Sequence, residues 1–125
     1  MTKELINKLK AIAQLGDGWN GNGASKFSEQ LINKTKDFID RLNEDPEVFP
    51  TANDSIQLEY EIEDDYLQIN IFEDKIVVFH MYKNKIFEAT LTDSNEDICN
   101  LVNIILHYRD FHLKRIQKET TRYDI

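Results

Sequence analysis

The side chains able to do chemistry are few and scattered. Three histidines stand at positions 80, 107 and 112, and no two of them are four residues apart, the helical step that lets two imidazoles share a metal. No carboxylate pattern completes a ligand set around them. His80 falls on what reads as the apolar face of a strand, where a neutral, hydrogen-bonded imidazole is the usual outcome. Cys99 lies one step from an apolar helical stripe with no activating base nearby in sequence, so it reads as a small packed residue. No nucleophile elbow or triad signature accompanies the serines. All four glycines fall within Gly16-Asp17-Gly18-Trp19-Asn20-Gly21-Asn22-Gly23. A phosphate-binding glycine loop follows a strand and opens a helix, and a Walker loop needs a Lys-Ser/Thr pair. These glycines follow a helical pattern, and no such pair exists. Asp17, Asn20 and Asn22 lack the spacing and the bidentate Glu of a calcium loop. The expectation is a non-catalytic protein with no cofactor and no metal.

The charge is more informative. The chain has 125 residues, 41% hydrophobic and 30% charged, with a net charge of -8. That composition belongs to a single globular domain able to bury about two-thirds of its surface. Between Glu44 and Asp74 stand eleven acidic residues and no Lys or Arg. Such a block repels phosphate, so direct nucleic-acid binding is not expected of it. It reads either as a solvated acidic face or as a docking surface for a basic protein partner. No apolar run is long enough for a membrane span. The amphipathic start MTKELINKLK does not look like a secretory signal, and a lone cysteine fits a reducing cytoplasm.

The elements that hold these residues follow from periodicity. Leu5, Leu9, Ile12 and Leu15 recur at helical steps, predicting a helix over 1–15. The glycine loop at 16–27 carries Trp19, the only tryptophan, either seated in a structural turn or offered to a partner as an anchor. Ser28 is an N-cap, and Phe27 with Ile32 forms a hydrophobic staple for a second helix over 28–43. Pro46 and Pro50 end it and make an extended connector. From Ser55 the period becomes two, predicting a four-stranded antiparallel meander over 55–91 with turns at Asp64-Asp65, Glu73-Asp74 and Lys83-Asn84. Asp93 and Glu96 open a last helix over 93–117. The fold class is α+β, with two N-terminal helices, the meander and a long C-terminal helix.

Two-residue turns fix which strand residues share a face. One face collects Ile56, Leu58, Tyr60, Ile62, Leu67, Ile69, Ile71, Ile76, Val78, His80, Phe87, Ala89 and Leu91, and is the expected core. The other collects Gln57, Glu59, Glu61, Gln68, Asn70, Phe72, Val77, Phe79, Met81, Ile86, Glu88 and Thr90. An antiparallel sheet with one wet face should be polar there. Phe72, Val77, Phe79, Met81 and Ile86 break that rule, so a cover is expected over them: helix one or two, or another chain.

The stretch Gly18-Trp19-Asn20-Gly21-Asn22-Gly23-Ala24, then Phe49-Pro50-Thr51 and the strand Ile56-Gln57-Leu58-Glu59-Tyr60, resembles a widespread group of small bacterial proteins. That group carries a Trp-Asp/Asn-Gly-x-Gly-Ala loop, a helix, a Pro-Thr pair and an apolar strand ending on an aromatic residue. The likeness spans roughly residues 15–72. Lys26-Phe27 stands where members often have a proline, and Glu73-Asp74-Lys75 where many have Pro-Asp-Gly. The resemblance implies a shared fold and a bacterial source, and no activity. The residues point to an accessory factor of the antitoxin, immunity or inhibitor kind. Its expected contact residues are Trp19, Glu59, Glu61, Phe72, Val77, Phe79 and Met81. The alternatives are a homodimer without other partner, or a small ligand-binding or hydrolase domain with its pocket at the Trp19 loop.

Overall fold

Thr2 and Ser28 start the two N-terminal helices in the same way. Each sits in extended backbone and its hydroxyl accepts from the N–H three residues on, Leu5 and Leu31 respectively. That satisfies a donor the first turn leaves free. Helix α1 runs Lys3–Ala13 and α2 runs Glu29–Asp40, each shorter than its expected span. Gln14 and Arg41 close the last turns, and the amphipathic pattern beyond them continues in loop. The staple residues Phe27 and Ile32 are both buried. This computed structural model describes residues 1–92 and 95–107.

The strands are β1 (Glu47–Pro50), β2 (Ile56–Ile62), β3 (Asp65–Ile71), β4 (Ile76–Tyr82) and β5 (Lys85–Leu91), in one antiparallel sheet of order β1-β2-β3-β4-β5. The expected four-stranded sheet gains a fifth strand from the proline connector. Val48 pairs with Leu58 and Pro50 with Ile56. A proline is tolerated there because it ends an edge strand, where no further ladder donor is required. The first hairpin turn is Glu63-Asp64 rather than Asp64-Asp65, since Ile62 pairs with Asp65. Moving the turn by one residue shifts the pairing by two, so the side-chain faces are unchanged. The turns at Glu73-Asp74 and Lys83-Asn84 stand as expected.

Residues 95–107 form helix α3. Residues 108–117 of the expected last helix, with His112 and the C-terminal basic residues, lie outside the described residues. Asn103 locks α3 to the end of α2, its amide donating to the Arg41 carbonyl at 2.9 Å and accepting from the Asn43 N–H at 2.9 Å. Among the described residues, no helix is long and apolar enough to cross a membrane.

The core lies on one side of the sheet. Leu9, Ile12, Leu31, Phe38, Ile39, Ile98, Val102 and Leu106 from the three helices pack with Val48, Ile56, Leu58, Tyr60, Leu67, Ile69, Ile71, Ile76 and Val78. All three helical stripes are therefore used on the same face. Of the two covers expected for the second face, helix one or two and another chain, this removes the first. It also corrects the far end of the expected core. Ile62, at the end of β2, is 38% exposed, and Phe87, on the edge strand β5, 54%. His80 is half-buried and bonds through Nε2 to the carboxylate of Asp65 at 2.7 Å, so the acid read as a turn residue serves as its partner.

Candidate functional site

Because paired residues in an antiparallel ladder share a face, the registers lay out the second face as three rows. The first is Phe49, Gln57, Asn70, Val77 and Thr90; the second is Glu47, Glu59, Gln68, Phe79 and Glu88; the third is Glu61, Tyr66, Met81 and Ile86. Not one of these residues is buried; no described helix packs over the β2–β5 part of this face, and at its β1 edge Lys8 of α1 reaches over the ring of Phe49. Glu47, Glu59, Glu61 and Glu88 stand among them with no Lys or Arg. The acids concentrate on β1 and β2, and the apolar side chains on β4 and β5. The boundary between the two halves runs along β3.

Tyr66 sits on that boundary and organises it. Its hydroxyl lies 2.8 Å from Glu59 Oε1 and 2.8 Å from Gln68 Oε1. Its ring meets Phe79 edge-on, with centroids 6.2 Å apart, a favoured aromatic geometry. Burial, the bond to Glu59 and the charges of Glu59 and Glu61 together push its phenol well above the ordinary range. Tyr66 therefore stays a hydrogen-bond donor that holds Glu59 beside Phe79. The Gln57 amide also donates to Glu59. These contacts shield the apolar group, over which no described helix packs. Phe79, Val77 and Met81 are half-buried by their long polar neighbours, and only Ile86, at 65% exposure, stands largely in water.

Of the expected contact residues, Glu59, Glu61, Val77, Phe79 and Met81 come together on this face. Phe72 and Trp19 do not join them. Phe72, at the turn after β3, lines a cleft of about 430 Å³ with Lys26, Phe27, Ser28, Leu31, Asp54, Glu73 and Asp74. Lys34 fastens this turn to α2, donating to the Phe72 carbonyl at 2.7 Å and the Glu73 carbonyl at 3.1 Å. Burial lowers the Lys34 pKa, opposed by the charges of Asp74 and Glu73. Trp19 lies on the helical side, 5.9 Å from the Phe27 ring, and donates from Nε1 to the Ser25 carbonyl at 3.1 Å. It stacks behind the cleft without lining it.

The glycine loop is closed on itself. Asp17 accepts from the Lys26 N–H at 2.9 Å, and Asn20 accepts from the N–H groups of Asn22 and Ala24 at 2.9 and 3.1 Å. Gly18, Gly21 and Gly23 hold φ between 71° and 81°, a region that favours glycine. The loop's acceptors are thus turned toward its own backbone. Among the described residues, no group of three or more His, Cys, Asp and Glu side chains could hold a metal ion.

No protein-family model, curated protein or solved structure matches the chain. The candidate site therefore rests on its own geometry.

Sequence reasoning missed Tyr66, Phe49 and Glu47 on this face. Placing the first turn one residue late left Tyr66 unassigned, although it shares the parity of Gln68. Phe49 and Glu47 were hidden by the prolines on either side of them.

Cys99 gives a separate prediction. Its thiol is 1% exposed and donates to the Phe38 carbonyl at 3.3 Å. Burial pushes its pKa up to about 12, with Asp37 adding to the rise and Arg41 opposing it. A thiol-specific disulfide reagent at pH 8 should leave the folded protein unlabelled over minutes and label it fully in denaturant. The unfolded thiol ionises near pH 9 and the folded one near 12, so above about pH 9 this group favours unfolding. Rapid labelling of the native state would show that the α2–α3 contact opens readily.

Proposed function

We propose that the protein is a non-catalytic binding factor that docks a basic protein partner on the open face of its sheet. It is an accessory factor of the kind that covers another protein's working surface, as antitoxins, immunity proteins and inhibitors do. One observation carries this reading: on a sheet face that no described helix covers from β2 to β5, the acids Glu47, Glu59 and Glu61 of β1 and β2 face the same way as Val77, Phe79 and Met81 of β4, across the single strand β3, with no Lys or Arg on the strands among them.

The two halves have different tasks. Acidic side chains around an apolar centre steer a cationic surface and set its orientation, raising the association rate more than the final affinity. The aromatic and aliphatic group supplies the anchor, since large apolar side chains excluded from water dominate interface energies. Tyr66 joins them by pinning Glu59 against the edge of the anchor. A basic partner fits this surface by charge, and an apolar knob on it would seat on Phe79 and Met81.

The test is affinity purification from cells of the source organism, identification of the captured protein, and titration of both purified components. The captured protein should be basic. Glu59→Lys/Glu61→Lys should slow association about 10-fold or more at low salt and flatten its salt dependence. A partner that is acidic, or one that binds the double variant and Phe79→Asp as tightly as the native protein, would refute the reading.

A further inference from the structure

The two edges of the sheet are built differently. β1 is four residues long, ends on Pro50, follows Pro46, and has Lys8 of α1 lying 4.6 Å above the ring of Phe49. Short length, prolines and a covering helix are the usual devices that stop an edge strand from pairing with another chain. Among the described residues, β5 has none of these, and its edge carries only the charges of Lys85 and Glu88. It is a full seven residues of Lys-Ile-Phe-Glu-Ala-Thr-Leu, without proline, glycine or bulge, and it pairs with β4 in unbroken register. It also carries exposed apolar side chains on both faces, Ile86 at 65% on the open side and Phe87 at 54% on the helical side. No described residue pairs with its outer edge.

We propose that β5 pairs antiparallel with β5 of a second copy, joining two sheets into one of ten strands. The backbone dictates which groups are free to do so. Lys83 and Asn84 both have positive φ, 46° and 66°, the two-residue turn whose flanking pair, Tyr82 and Lys85, is hydrogen-bonded. Alternation then directs the N–H and C=O groups of Ile86, Glu88 and Thr90 outward. A twofold axis centred on Glu88 would set Glu88 against Glu88. One centred on Phe87 runs into the turn at 83–84 and shortens the pairing. An axis at Ala89 avoids both faults. It pairs 86–92 with 92–86, puts Phe87 against Leu91 on the helical side and Glu88 against Thr90 on the open side, and leaves the small Ala89 at the axis. The strand is complementary to itself in that register. Dimerisation would also bring the apolar halves of two open faces together at the middle of one surface.

Light scattering on the full chain across micromolar to millimolar concentration tests this directly. The expected mass is twice 14.7 kDa, with dissociation on dilution. Thr90→Pro removes an outward donor that the β4–β5 ladder does not use, so its far-ultraviolet circular dichroism should be native while dimer affinity falls at least 10-fold. Thr90→Glu should weaken the dimer and Thr90→Lys strengthen it, because residue 90 faces Glu88 of the other copy. Ala89→Cys should cross-link two copies under oxidation, since paired residues at the axis lie within disulfide reach. A native protein that stays monomeric at millimolar concentration overturns the proposal. So does a dimer that Thr90→Pro and Thr90→Glu both leave intact and Ala89→Cys does not cross-link; such a dimer would use another surface.

Discussion

Phe38→Ala is expected to remove about 3–5 kcal/mol of folding stability. Phe38 is the largest of the fully buried side chains, at 0% exposure, and it sits where α2 meets both the sheet and α3. Its own carbonyl receives the Cys99 thiol, so α3 is registered against the backbone at the same residue. Truncation leaves a cavity bounded by three elements that cannot all close on it. Domains of this size have total stabilities of roughly 5–15 kcal/mol, so the variant would sit near the edge of folding. Its midpoint should fall by about 10–20 °C in a calorimetric or circular dichroism melt. A fall of only a few degrees would mean that α2 does not key the three layers together.

The second large effect comes from the same residue type in the opposite setting. Phe79 is half-buried among Gln68, Tyr66 and Glu88 on the open face, with no described helix against it. Phe79→Asp should therefore cost stability only modestly, about 1–2 kcal/mol, mostly from the lost edge contact with Tyr66. Its effect on partner binding should be far larger, a loss of 100-fold or more. It removes the central anchor and adds a negative charge next to Glu88. The dissociation rate should carry most of that loss, whereas Glu59→Lys/Glu61→Lys acts mainly on association. Surface plasmon resonance separates the two rates. The pair Phe38 and Phe79 thus divides the molecule's apolar surface into the part that folds it and the part that is proposed to bind.

Much of this division was legible in the sequence. Strict alternation through Ile56–Ile62 and Leu67–Ile71 fixed the two faces, and the hairpins preserved them even though the first turn lies one residue earlier than expected. Ser28 announced the start of α2 because a hydroxyl before an amphipathic run has one obvious use, and the structure has it so used. Other features depend on long-range partners that local patterns do not encode. Pro46 and Pro50 read as a connector because β1 acquires its ladder only from β2, six or more residues away. Asp65 read as a turn acid because its partner His80 is fifteen residues on. The covering of the second face was illegible for a different reason. Apolar stripes on the three helices are compatible with either side of a sheet that has apolar residues on both, and only packing decides that all three take the more apolar side. Trp19, conspicuous by composition, turned out to be tied to the core through Phe27 and to its own loop through Ser25.

The central claim is that the open face meets a basic protein, and a photo-crosslinking amino acid at position 79 tests it most directly. A control carries the same group at exposed Lys10, in α1 on the opposite side of the sheet. Irradiation in source cells should give an adduct with one basic protein from position 79 and none from position 10, diminished by Glu59→Lys/Glu61→Lys. An adduct formed equally from both positions, an adduct only with a second copy of this chain, or no adduct from position 79 would contradict it.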